Sequence, residues 1–129
     1  MGADSGKPLR VLVVDDERPL LELLAPELSD LGFAVNAAES AAVALAALDG
    51  GAMYDVILSD LAMPKMSGVA FLNEALRRIP GVPAIILTGN TGAANAKGLE
   101  KFVGGRVSLV RKPVSGAALA AAIADLIQP

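Results

Sequence analysis

Four short apolar runs, each closing on a polar or charged residue, constrain this chain more than any other feature. Val11-Leu12-Val13-Val14 closes on Asp15-Asp16, and Val56-Ile57-Leu58-Ser59 closes on Asp60. Ala84-Ile85-Ile86-Leu87 closes on Thr88, and Val107-Ser108-Leu109-Val110 runs into Arg111 and Lys112-Pro113. Near-continuous apolar runs of this length suit strands covered on both faces, as in a parallel sheet. If all four are parallel, their carboxyl ends share one edge, and ligands of open α/β sheets bind beyond that edge. The edge would then gather three carboxylates, a hydroxyl and an ammonium.

The segments between the runs read as helices. Asp16 is a candidate N-cap for a first helix, with Leu20, Leu24, Leu28 and Leu31 at helical spacing and Gly32 past its end. Pro26 removes one backbone hydrogen bond in that helix and predicts a kink. Phe33 to Ala38 reads as a second, weaker strand. Ser40 caps a second helix that reaches about Asp49. A third helix starts near Ser67, buries Leu72, Ala75, Leu76 and Ile79, and stops at Pro80. The stretch from Gly92 to Phe102 is a poor helix interrupted by Gly98, with Leu99 and Phe102 as anchors, and Gly104-Gly105 turns the chain back. Ser115 caps the last helix, whose inner face is Leu119, Ile123, Leu126 and Ile127. Strand and helix alternate five times, which predicts an α/β fold with helices on both faces of a parallel sheet. Met1 to Pro8 reads as a flexible tail ahead of a single domain over residues 9–128.

Composition removes several function classes. The chain has 129 residues, no histidine and no cysteine. Ser-His-Asp catalysis, thiolate or His-ligated zinc and a phosphohistidine on this chain are excluded. The net charge is -3 with no long basic run, so direct nucleic-acid binding by this domain is not expected. No stretch approaches the roughly 20 apolar residues of a membrane span, so no membrane insertion is expected. Cysteine absence fits a reduced cytoplasm. Only Phe33, Tyr54, Phe71 and Phe102 are aromatic, which argues against stacking on bases or a flavin.

The predicted edge has a definite chemistry. Mg²⁺ takes oxygen ligands and keeps several waters, so Asp16 and Asp60 are direct ligand candidates and Asp15 one that acts through water. Crowded carboxylates repel, which raises a pKa and favours a cation. Asp60 is the candidate nucleophile, because a carboxylate can attack phosphorus and form an aspartyl-phosphate. Lys112 and Thr88 would bind phosphoryl oxygens, and Gly89 leaves room for the group to enter. Taken singly, Asp15-Asp16 reads equally as a helix cap plus a solvated acid, and Thr88-Gly89 as a turn. The joint placement on one edge carries the signal.

These residues, read together, resemble the receiver domain of two-component response regulators over about Leu9 to Ile127. The matching segments are Val13 to Glu17, Ser59 to Gly68, Leu87-Thr88-Gly89 and Val110 to Pro113. The resemblance implies a flavodoxin-like doubly wound (βα)5 fold with a five-stranded sheet of order 2-1-3-4-5. It implies phosphorylation of Asp60 by a histidine kinase or a histidine phosphotransfer protein. It implies Mg²⁺ on Asp15, Asp16, Asp60 and the carbonyl of Ala62, and a cis bond between Lys112 and Pro113. It also implies a phosphoacceptor switch, not an enzyme. In the family, phosphorylation draws the threonine inward and rearranges the face made by the last two helices and the last strand.

Leu109 occupies the slot where the family often carries a switching Tyr or Phe. Leu87-Thr88-Gly89 is similar to receivers attached to hybrid sensor kinases, and a stand-alone regulator is equally compatible. Ala62 and Asn90 hold positions that tune hydrolysis in the family, and Ala62 offers no polar group to orient water, which predicts slow self-dephosphorylation. Ala118, Ala121 and Ala122 form an apolar strip that suits a partner or a homodimer. Two other readings stand beside this one. A flavodoxin-like electron carrier would use Thr88 to Gly92 as a phosphate loop, but that loop belongs after the first strand. An aspartyl-nucleophile phosphatase wants an acid two residues after Asp60, where Ala62 stands.

Overall fold

The structure, a computed structural model, describes residues 7–89 and 107–127. In chain order it forms β1 (Arg10–Val14), α1 (Arg18–Asp30), β2 (Ala34–Ala38), α2 (Ala41–Asp49), β3 (Val56–Asp60), α3 (Gly68–Arg78), β4 (Ala84–Thr88), β5 (Val107–Arg111) and α4 (Gly116–Ile127). All the strand pairs are parallel, and the sheet order is β2-β1-β3-β4-β5. This is the flavodoxin-like doubly wound order expected from the sequence. The poor helix from Gly92 to Phe102, its Gly98, Leu99 and Phe102, the Gly104-Gly105 turn, Asn90 and most of the N-terminal tail lie outside the described residues.

Alternation along each strand sends residues to two apolar layers. Leu12, Val14, Ile57 and Ile86 pack with α2 and α3, including a fully buried Phe71. Val11, Val13, Val56, Leu58, Ile85 and Leu87 pack with α1 and α4 through Leu24, Leu28, Leu119 and Ile123. The strands buried on both faces, β1, β3 and β4, are those whose sequences read as continuous apolar runs.

Local chemistry sets the helix ends. Ser40, Ser67 and Ser115 accept the amide protons of Val43, Ala70 and Ala118, each at 3.1 Å. Helix α1 closes in a Schellman motif: Gly32 N–H bonds Ser29 O at 3.0 Å and Phe33 N–H bonds Leu28 O at 3.1 Å. Gly32 there has φ +102°, which its missing Cβ permits. That motif uses Phe33 to end the helix, so β2 starts at Ala34 instead of Phe33.

Several expectations need correction. Asp16 is not the N-cap of α1. Glu17 is, with no side-chain cap bond and Pro19 in the first turn, which needs one donor fewer to be satisfied. The buried stripe of α1 is Leu21, Leu24 and Leu28, while Leu31 is exposed beyond the last turn. As expected for a kink and not a break at Pro26, helix α1 continues through it from Arg18 to Asp30. On α4, Ala118 and Ala121 are exposed, but Ala122 packs against the core, which narrows the apolar strip.

Candidate functional site

Ladder hydrogen bonds at the carboxyl edge fix where each predicted site residue stands. Val14 pairs with Ser59, so Asp15 follows beside Asp60. Asp15 N–H bonds Ala38 O at 3.1 Å, Leu61 N–H bonds Leu87 O at 2.8 Å, and Lys112 N–H bonds Thr88 O at 2.7 Å. Asp15, Asp60, Thr88 and Lys112 are thus each the last of a strand or the first beyond it, held by backbone. Strand parity also gives Asp15, Asp60 and Lys112 the side facing α1 and α4.

The acids and the lysine meet there. The Lys112 Nζ lies 2.9 Å from Asp15 Oδ2, 3.0 Å from Glu17 Oε1 and 3.1 Å from Asp60 Oδ1. Carboxylate oxygens of Asp15, Asp16 and Asp60 fall within 4.8 Å of one another. Asp15 is fully buried, Asp60 is 6% exposed and Asp16 is exposed. Burial pushes the Asp15 carboxyl up, against its bonds from Glu17 N–H and Lys112. Burial and then the charge of Asp15 push the Asp60 carboxyl up, against Lys112. Burial works against the Lys112 ammonium, yet its bonds to Asp15 and Glu17, with the Asp15 charge and Asp60, outweigh it and raise its pKa.

Thr88 is buried at the end of β4, its hydroxyl donating to Gly89 O at 3.3 Å. A Cβ added at Gly89 would meet nothing within 4 Å among the described residues, so the space before it is open to them. Ala62 sits exposed just past Asp60. The Lys112–Pro113 bond is cis. Leu109 is 50% exposed on β5. A groove of about 910 Å³ adjoins the site, with Asp16, Glu17, Leu23, Gly89, Lys112 and Val114 on its walls.

A model of the response regulator receiver domain matches residues 11–124. The chain belongs to the response regulator receiver domain family. This receiver domain is 37% identical over 124 residues to the transcriptional regulatory protein GlrR of Escherichia coli, covering 96% of this chain and 27% of that protein. It is 35% identical over 111 residues to a response regulator receiver protein of Anaeromyxobacter sp., covering 82% of this chain and 43% of that one. The chain thus spans less than half the length of these curated relatives. Among solved structures, a receiver domain protein from Clostridium thermocellum superposes with TM-score 0.81 at 32% identity, covering 92% and 94% of the two chains. A chemotaxis response regulator of Vibrio cholerae superposes with TM-score 0.77 at 29% identity, covering 93% and 99%. The receiver family is one of phosphoacceptor switches, and neither the electron-carrier nor the phosphatase reading is favoured.

Sequence reasoning gave no role to two residues of this receiver. Glu17 is the third partner of Lys112. Its place beside Asp15-Asp16 was the available signal, but its reach to position 112 is set by the sheet. Gly68 begins α3 against the end of β3: a Cβ there would lie 2.3 Å from Asp60 O and 2.9 Å from Leu61 Cα.

Proposed function

We propose that Asp60 accepts a phosphoryl group from a phosphohistidine on a histidine kinase or histidine phosphotransfer protein. The observation that carries this reading is the single ammonium of Lys112 held against Asp60 and Asp15 at the shared strand ends. An Asp60 carboxylate oxygen attacks phosphorus, forming the new O–P bond. The N–P bond to the donor imidazole breaks, its electron pair leaving with the ring. Lys112 offsets charge on one phosphoryl oxygen. Thr88 turns its hydroxyl from Gly89 O toward another. The open space at Gly89 admits the group, and the donor approaches along the groove beside Leu23.

Asp15, Asp16 and Asp60, with the carbonyl of Ala62, would hold Mg²⁺. The fit rests on three hard oxygen donors within 4.8 Å, two of them buried with carboxyl pKa values raised in the bare site. When bound, the cation supplies charge neutralisation at the phosphoryl oxygens.

The receiver, taken as residues 9–128 in a cytoplasmic setting, acts as a switch and turns over no free substrate. Ala62 gives the phospho-form a slow spontaneous decay. Three relatives are named transcriptional regulatory proteins. The expectation of no direct nucleic-acid contact therefore concerns this domain and not a longer protein.

Intact mass after incubation with acetyl phosphate and Mg²⁺ tests the assignment. Wild type should gain one phosphoryl group, while Asp60→Asn and wild type in chelator should gain none. Undiminished uptake by Asp60→Asn would overturn it.

A further inference from the structure

An ammonium has three N–H donors and no more. In this site two are hydrogen-bonded, to Asp15 at 2.9 Å and Glu17 at 3.0 Å, and Asp60 Oδ1 lies 3.1 Å from the nitrogen as an ion-pair contact. A phosphoryl oxygen arriving on Asp60 therefore competes for Lys112 with the carboxylates around it. The three are not equivalent. Asp15 is buried, so freeing it strands a charge away from water, and Asp60 carries the phosphoryl group itself. The Glu17 side chain is 61% exposed and returns to water when freed. Among the described residues nothing else employs it: Glu17 is the N-cap of α1, yet its side chain makes no cap bond. It also lines the groove by which a donor would come.

We infer that Glu17 is a placeholder for the phosphoryl group. Its carboxylate occupies one donor of Lys112 until a phosphoryl oxygen on Asp60 replaces it. Glu17 is thus a positioning residue: it keeps the ammonium drawn to the mouth of the site and sets a small, adjustable resistance to phosphorylation. This rests on Asp60 as the phosphoacceptor.

The test is the affinity for beryllofluoride, a phosphoryl mimic, in Mg²⁺, for wild type, Glu17→Gln, Glu17→Asp and the off-site control Glu22→Gln. Glu17→Asp keeps the charge but shortens the side chain by one methylene, so it no longer reaches Lys112. Both Glu17 variants should bind about two- to five-fold more tightly, the range of an exposed ion pair, with Glu22→Gln unchanged. In the Mg²⁺-free, beryllofluoride-free proteins, the ¹⁵N signal of the Lys112 ammonium should shift in both Glu17 variants and not in Glu22→Gln. Tightening in Glu17→Gln without Glu17→Asp would indicate general charge repulsion and overturn the placeholder role. So would unchanged or weaker binding in both. Wild type that binds no beryllofluoride would instead overturn the phosphoacceptor reading itself.

Discussion

Replacing Gly68 by alanine is the sharpest probe of how the fold holds Asp60. The new Cβ would lie 2.3 Å from Asp60 O, 2.9 Å from Leu61 Cα and 3.1 Å from Asp60 C, all backbone atoms. No side chain can rotate away, so either the first turn of α3 or the end of β3 must shift. Overpacking of this kind costs about 1–3 kcal/mol. The Gly68 N–H bond to Leu61 O, now 2.8 Å, stretches with it, for about 1 kcal/mol more. Alanine returns up to about 1 kcal/mol through a less flexible unfolded chain. The net is about 2 kcal/mol, a fall in Tm of about 6–10 °C for a domain of this size. The same shift moves the Asp60 carboxylate against Lys112, and phosphorylation by acetyl phosphate should slow by about ten-fold or more, since a 1 Å misplacement can cost about a hundred-fold. Gly89→Ala is the control for stability: with nothing within 4 Å among the described residues, its unfolding free energy in urea should stay within about 0.5 kcal/mol of wild type. A Gly68→Ala protein as stable as that control, with wild-type phosphorylation, would refute the close-packing argument.

Asp60→Asn should be more stable than wild type at neutral pH in chelator, because Asp60 is held with its pKa above the ordinary 3.8 by burial and by Asp15. A raised folded pKa gives stability that is full below 3.8 and is lost as pH climbs through the folded value, so the two proteins should converge near pH 4 and separate above it. Urea unfolding across pH checks this, and an Asp60→Asn protein less stable at neutrality would contradict it. Mg²⁺ at about ten times its Kd should stabilise wild type by about 1.4 kcal/mol and Asp60→Asn by less. Glu27→Ala removes the carboxylate that accepts the Gly116 amide at 2.7 Å and should cost about 1–2 kcal/mol by thermal melting, with no loss if that link is idle. Purified phospho-protein without phosphatase should outlast seconds, as Ala62 lacks a polar group, and a half-life of seconds by intact mass would count against that reading.

The parallel sheet and the gathering of site residues at one edge were legible because the apolar runs end in phase, while the strand order came only with the resemblance to receiver domains. Val56 to Leu58 and Ala84 to Leu87 have no polar residue to misplace, and their ends are marked by Asp60 and Thr88. Serine caps were legible for the same reason: the signal and the bond lie three residues apart. What escaped was decided by distant partners. Asp16 looks like a cap, yet Asp15 Oδ1 takes the Glu17 amide at 2.9 Å and the helix starts later. Leu31 has helical spacing, but the Schellman bonds stop α1 before it can face inward. The contact of Gly116 with Glu27 joins elements 89 residues apart, and no local pattern announces it.

The charge balance of the site explains why these parts make a switch and not a resting ion cluster. Four carboxylates, from Asp15, Asp16, Glu17 and Asp60, face one ammonium. Two of those acids are buried deeply enough that burial itself raises their pKa values. Such a site cannot accept a further anion unaided, since each added negative charge meets little water to screen it. A divalent cation reverses the balance among Asp15, Asp16 and Asp60, and displacement of Glu17 frees the one donor a phosphoryl oxygen needs. Asp15, Asp16 and Asp60 would hold such a cation, which would supply the charge neutralisation a phosphoryl group needs, and Glu17 can turn from Lys112 to solvent. Phosphorylation attempted without the cation should therefore fail even in Glu17→Gln, because one fewer peripheral charge leaves the buried pair of acids unbalanced.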